Sequence, residues 1–190
     1  MSRWPAPETM RARILETADR LFYGQGIRAV GVDTVAAEIG ISKRTLYNYF
    51  PSKDALIAAY LERRMAPLEP SDRPALDQLV GVFDRLERAV TGDGGYRGCP
   101  FVNAVAELGE PARPVAIAFK ERRCLWFRAL LARLAVPDPD ALATQLAVLL
   151  DGAIAGALVR GDAGMVRAAR DAARVLLAAS GVAEALPPGA

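Results

Sequence analysis

The sequence predicts an all-α fold of about nine helices. Three observations carry that expectation. Apolar residues recur at helical spacing along most of the 190 residues. Ala, Leu and Arg dominate, and β-branched runs are few. Gly and Pro fall between the periodic stretches, and neither a strand pattern nor a repeat is visible. With a hydrophobic fraction of 52%, the chain is rich enough to bury a sizeable core and far from disordered composition.

The first helix is expected over about 8–24, where Ile14, Leu15, Ala18, Leu21 and Phe22 form one stripe and Gly24 and Gly26 stop it. A short helix follows at 32–39, with Val35, Ala36 and Ile39 inward and Gly40 ending it. Ser42 caps a third helix, 43–49, which Pro51 breaks. Ser52 caps a fourth that continues to about 65. Pro67, Pro70 and Pro74 mark a junction. Beyond it Leu76, Leu79, Val80, Phe83, Leu86 and Val90 make a fifth helix, and GDGGYRG (92–98) a loop. A short helix is expected over 99–108, with Pro100 near its first position, and GEPARP interrupts before a long helix at 115–135. Two more helices, at about 139–160 and 163–180, complete the chain, and LPPGA should fray.

The third helix and its surroundings read ISKRTLYNYFPSKDAL (41–56). On a wheel of about 100° per residue, Leu46 and Phe50 share one side. Arg44, Thr45 and Asn48 take the opposite side, with Tyr47 and Tyr49 on the flanks. Such a face, polar and hydrogen-bonding, suits a helix laid in a major groove, its centre reading bases and its edges holding phosphates. Small Ala36, then Gly40, Ile41 and Leu46, give the spacing of a helix-turn-helix. Lys53 stands in the first turn of the next helix, whose free N–H groups also suit a phosphate. Residues 1–66 hold 10 Lys and Arg against 7 Asp and Glu, the remainder 14 against 15, so the mild basic excess lies at the N-terminal end.

Residues 8–60 resemble the head of the TetR-type (tetracycline-repressor) transcriptional regulators. The run VDTVAAEIGISKRTLYNYFPSKDAL, preceded by a helix ending LFYGQG, carries the likeness. The resemblance implies a helix-turn-helix domain over 1–52, linked by helix 53–66 to a ligand-binding and dimerisation domain over 67–190. It implies a homodimer on a palindromic double-stranded DNA operator, most often a repressor, released when a small molecule occupies the larger domain. By position, Lys43, Arg44, Thr45, Tyr47 and Asn48 would face the groove, and Tyr49 and Lys53 would hold phosphates. Where the family commonly has Thr, this chain has Gly31, which offers a phosphate no hydroxyl; Thr34 or a backbone N–H is the substitute expected to take that role.

The larger region suggests a pocket and a partner surface. Phe83, Phe101, Val102, Phe119, Trp126 and Phe127 supply apolar walls, and Tyr96 joins them. Asn103, Glu107, Arg122, Arg123 and Asp151 supply polar anchors, a mixture suited to a small, largely hydrophobic effector. The C-terminal helices carry Leu146, Leu149, Ala153, Gly156, Val166, Ala169, Ala173 and Leu176, small and apolar residues suited to a four-helix dimer interface.

The same composition excludes other classes. The chain has no His, so His catalysis and Cys/His zinc sites are excluded, and no cofactor is expected. A carboxylate enzyme working through Glu107 or Asp151 has neither a phosphate loop nor a metal cluster behind it. A thiol sensor at Cys99, beside Pro100, and a helical binding module without DNA binding are the alternatives. Stretch 141–159 is apolar enough to suggest a membrane span, but Asp151 near its centre favours a helix buried in protein. No signal-peptide run opens the chain, and a cytoplasmic location is expected.

Overall fold

The computed structural model describes residues 9–65 and 71–182. Among them are nine α-helices and no strand: α1 Met10–Gln25, α2 Val32–Ile39, α3 Lys43–Tyr49, α4 Lys53–Arg64, α5 Ala75–Thr91, α6 Pro100–Leu108, α7 Arg113–Arg133, α8 Pro139–Arg160 and α9 Gly164–Ala179. The expected breaks at Pro67 and Pro70 and the LPPGA end lie outside the described residues.

Two boundaries differ from the sequence reading. Helix α1 runs through Gly24 to Gln25, and Gly26, at a φ of 101°, ends the helical path. GEPARP does not separate α6 from α7 by an open loop. It forms a 3-10 turn, Glu110–Ala112, that feeds directly into α7. Pro111 and Pro114 are tolerated there because the first-turn N–H groups of a helix have no intrahelical acceptor.

The described residues fall into two compact units. One takes in α1–α4 with Pro100–Ala116; the other takes in α5, α8, α9 and α7 from Ile117 onward. In the first, Ile14, Ala18, Leu21 and Phe22 of α1 are buried with Val35 and Ala36 of α2 and Leu56 and Tyr60 of α4. The Phe22 and Tyr60 rings meet edge-on, centroids 5.6 Å apart. Arg64 closes this seam. Its Nε and Nη2 donate to the two Asp19 carboxylate oxygens at 2.5 and 2.8 Å, and its guanidinium lies 4.4 Å from the Tyr23 ring centroid. Helix α6 enters the same unit through Phe101 and Ala104. Glu107 on α6 accepts the Arg28 backbone N–H at 2.8 Å, tying α6 to the turn between α1 and α2.

In the second unit Phe83, Phe127, Leu130, Leu131, Leu146 and Val166 have no more than 1% of their surface exposed and anchor a single core. Helices α8 and α9 pack closely because small residues line the seam. A Cβ added at Gly156 would come within 2.8 Å of Met165 Cγ. Arg170 of α9 donates to Asp84 and Glu87 of α5, each at 2.8 Å. Buried Gln78 accepts from the Ser71 N–H and donates to the Ser71 and Arg73 carbonyls, holding the approach to α5.

Candidate nucleic-acid interface

The site is built from α3 outward. Gly40, at φ 78° and ψ 32°, supplies the left-handed residue that ends α2 and turns the chain. Its N–H and that of Ile41 return to α2 carbonyls, so the turn is closed by backbone. Ser42 then starts α3: its Oγ accepts the Thr45 N–H at 3.0 Å. Leu46 and Phe50, 0% and 2% exposed, pin α3 from behind, and Arg11 of α1 stacks over the Phe50 ring at 4.8 Å. Ser52 repeats the cap for α4, accepting the Ala55 N–H at 3.0 Å.

What faces outward is what the wheel indicated, with the exception of Thr45. Arg44, Tyr47, Asn48 and Tyr49 are exposed. No hydrogen bond or ion pair to the Arg44 or Asn48 side chain is found among the described residues. Thr45 is half-buried, and its hydroxyl is engaged with the Ser42 hydroxyl at 2.8 Å. Lys43 donates to Asp33 of α2 at 2.9 Å, so the cation is clipped to a neighbouring carboxylate. The hydrogen bond to Asp33, reinforced by its charge, raises the Lys43 pKa above the usual value. Asp33 was not among the residues singled out from sequence; only its place in the first turn of α2 marked it, as a charge suited to a helix N-terminus.

Thr34 is exposed on the first turn of α2, and Gly31 caps that helix without a side-chain hydrogen bond. Lys53 is half-buried at the start of α4. The surface therefore presents α3 centrally, with the N-terminal turns of α2 and α4 beside it.

The residues expected to line a pocket are divided between the two units. Phe101, Val102, Asn103 and Glu107 belong to α6 and group with α1–α4; there Phe101 is buried, Val102 is exposed, and Glu107 is committed to Arg28. Phe83, Trp126 and Phe127 lie together in the core of the second unit, and Phe119 on α7 is half-buried. In that unit Arg123 donates to Asp151 Oδ1 at 2.7 Å, and Lys120 donates to the same oxygen. The sequence reading missed Lys120, although its spacing of three from Arg123 puts both on one helix face. Tyr96 donates its hydroxyl to the Ile154 carbonyl at 3.1 Å.

Of the residues expected at a dimer interface, Leu146, Ala153, Val166, Ala169 and Ala173 are buried in the chain's own core; Leu149, Gly156 and Leu176 are half-buried. The outward apolar surface of these helices lies one face round, at Val148 and Val159 of α8 and Val175 of α9, 66%, 85% and 59% exposed. Cys99 is buried just before α6, and Cys124 is half-buried.

Comparison with known proteins places this arrangement. Residues 14–60, which span α1 to the middle of α4, match the model for bacterial regulatory proteins of the tetR family. The HTH-type transcriptional repressor SCO4008 of Streptomyces coelicolor is 38% identical over 80 residues, 42% of each chain. The match thus spans under half the length of that curated relative. Two solved structures are similar throughout. A TetR-type transcriptional regulator of Streptomyces avermitilis is 32% identical, with 92% of this chain and 99% of that one covered at a TM-score of 0.76. SCO4454 of Streptomyces coelicolor, a TetR-family transcriptional regulator, is 30% identical, with 90% and 95% covered at 0.79. Since that likeness runs through both units and the family model falls on the helices that present α3, the chain belongs to the TetR family of transcriptional regulators.

Proposed function

We propose that this protein is a repressor that binds a palindromic DNA operator as a homodimer and is released by a small, largely apolar effector. One observation carries the reading: α3 is fixed from behind by Leu46 and Phe50 while Arg44 and Asn48 stand outward and uncommitted. Arg pairs bidentately with guanine and Asn with adenine in the major groove, so this pair has the chemistry of direct readout. Tyr47 faces the groove beside them, as does Lys43 once released from Asp33, and Tyr49, Lys53 and Thr34 hold phosphates. The exposed α8–α9 stripes couple two heads, so that both half-sites are engaged together. The core around Phe83, Trp126 and Phe127 forms the apolar wall of the effector site. Repression is the direction taken by SCO4008, the curated relative described above. The protein works in the cytoplasm, where its operator lies.

The test is selection of binding sites from random duplex DNA at two salt concentrations, on refolded protein freed of any carried ligand. The expected result is an enriched palindrome with half-sites about one helical turn apart, and affinity that falls steeply with salt. Folded, dimeric protein that enriches nothing would sink the reading.

A further inference from the structure

Two cations of α7 share one carboxylate oxygen of α8. Lys120 and Arg123 both donate to Asp151 Oδ1, and the second Asp151 oxygen takes neither. The cluster therefore carries one excess positive charge. Arg123 is only 4% exposed, and its Nε–H is buried with no acceptor among the described residues. A buried donor left unmatched is costly, and more so on a charged group. Salt-bridge geometry alone does not explain the arrangement, since one cation against one carboxylate would already be neutral.

The surroundings are apolar. Phe119, one turn before Arg123, places its ring 6.0 Å from the guanidinium, and Trp126 and Phe127 follow one turn later. On α8, Ile154 stands one turn beyond Asp151 and receives the Tyr96 hydroxyl. The Lys120–Asp151 end of the cluster is part exposed, 27% and 39%, whereas the Arg123 end is closed. The Lys120–Asp151 end is thus the solvent-facing edge of the cluster, with the half-buried Phe119 ring beside the guanidinium.

We propose that Lys120 and Arg123 form an anion-recognition site and that the effector is a small apolar molecule carrying a single carboxylate or equivalent monoanionic group. This rests on the ligand-responsive reading above and names the ligand class for it. The ligand's negative charge neutralises the cluster and accepts from the Arg123 Nε–H. Its apolar body lies along Phe119, the half-buried ring beside the guanidinium. Neutral hydrophobes of the same shape lack the first of these and bind more weakly.

The test uses the full chain and matched pairs of probes: decanoate against decanamide, and naphthoate against naphthamide, by calorimetry and tryptophan fluorescence. Each acid should bind at least about tenfold more tightly than its amide, the usual range for a hydrogen bond to a charged group. Lys120→Met leaves one cation against one carboxylate and should bring acid and amide close to parity. Asp151→Asn leaves two cations facing the ligand and should widen the gap. Should Asp151→Asn fail to fold, Lys120→Met still decides, because it removes the excess charge and keeps the Arg123–Asp151 pair. Equal affinities in the wild type, unchanged selectivity in Lys120→Met, or no binding of either probe would overturn the proposal. Amides that bind and release operator DNA as well as the acids would overturn it while leaving ligand-responsive regulation intact. Acids that bind selectively without altering operator binding would leave the site standing and remove the regulatory reading.

Discussion

Arg44 and Lys53 both carry a positive charge on the same surface, yet they should fail differently. Arg44 stands on the outward centre of α3, Lys53 at the first turn of α4. Arg44→Ala should cost about 1–3 kcal/mol on the preferred operator and relax base preference at one position of each half-site. Lys53→Ala should weaken all sequences alike and lower the salt slope by about one per monomer. Quantitative binding to operator and scrambled duplex at several salt concentrations separates the two; equal losses on both sequences from Arg44→Ala would mean that it holds phosphate. Asp33 should act with the opposite sign. It occupies Lys43 and sets a carboxylate beside the proposed DNA-facing surface. Asp33→Asn frees the cation and should tighten binding to every duplex by roughly three- to tenfold, with a steeper salt slope. Unchanged or weakened binding would show that the clip orients Lys43 for DNA. The wheel made Arg44 and Asn48 legible because their orientation follows from α3 and its two apolar anchors. It could not reveal the Asp33 clip, because which carboxylate reaches Lys43 depends on the angle between two helices.

The seam between α1 and α4 is the element that sequence periodicity left blank. Ile14, Leu21 and Phe22 announced the buried face of α1, and Leu56 and Ile57 lie buried on α4. Nothing in either stripe pairs Asp19 with Arg64, 45 positions apart. Both side chains are nearly enclosed, 12% and 13% exposed, so removing one partner strands the other. Asp19→Ala should destabilise the fold by about 3–5 kcal/mol in urea unfolding, and joint replacement by Asp19→Leu and Arg64→Met should recover much of that loss. A double variant no more stable than Asp19→Ala would mean that the pair contributes through its fixed geometry. The same seam makes a pH prediction. Burial, opposed in part by the Arg64 charge, pushes the Tyr60 phenol far above its usual value of 10.0. The folded state thus holds this proton more tightly than the unfolded chain. Its contribution is complete below the usual tyrosine range and is lost as pH rises above it. The unfolding midpoint should fall as pH climbs beyond about 10, and Tyr60→Phe should flatten that fall. An identical slope in Tyr60→Phe would assign the alkaline loss to other groups.

Helix α8 is more apolar than the cover its own chain gives it would require. Its mean hydropathy of 1.8 passes for a membrane span, yet only 39% of that apolar window is buried in the chain. Leu142, Leu146, Leu150, Ala153 and Ala157 account for the inward face. A second stripe, Val148, Gly152, Ala155 and Val159, recurs at i, i+4, i+7 and i+11 and faces outward. On α9 the positions 168, 172, 175 and 179 repeat that spacing with Ala, Ala, Val and Ala, all exposed or half-buried. Reading small apolar residues from sequence pooled the inward and outward faces of α8 and α9, because a helix apolar all round gives no moment to separate core from surface. In the proposed dimer, two such outward stripes from two copies would make the four-helix seam, and a patch of this kind rarely stays open on a soluble monomer. The proposal can be tested with little risk to the fold, because Val148 and Val159 have few neighbours in their own chain. Val148→Asp with Val159→Asp places four carboxylates in the two-fold seam while leaving the monomer core untouched. Sedimentation should move from dimer to monomer with helicity and unfolding midpoint nearly unchanged. Operator affinity should fall by roughly 100-fold or more, since the second head no longer benefits from the first being bound. A variant that remained dimeric would place the two-fold axis on another face of the chain. One that became monomeric but held its operator as before would mean that a single α3 and its flanking turns suffice for recognition.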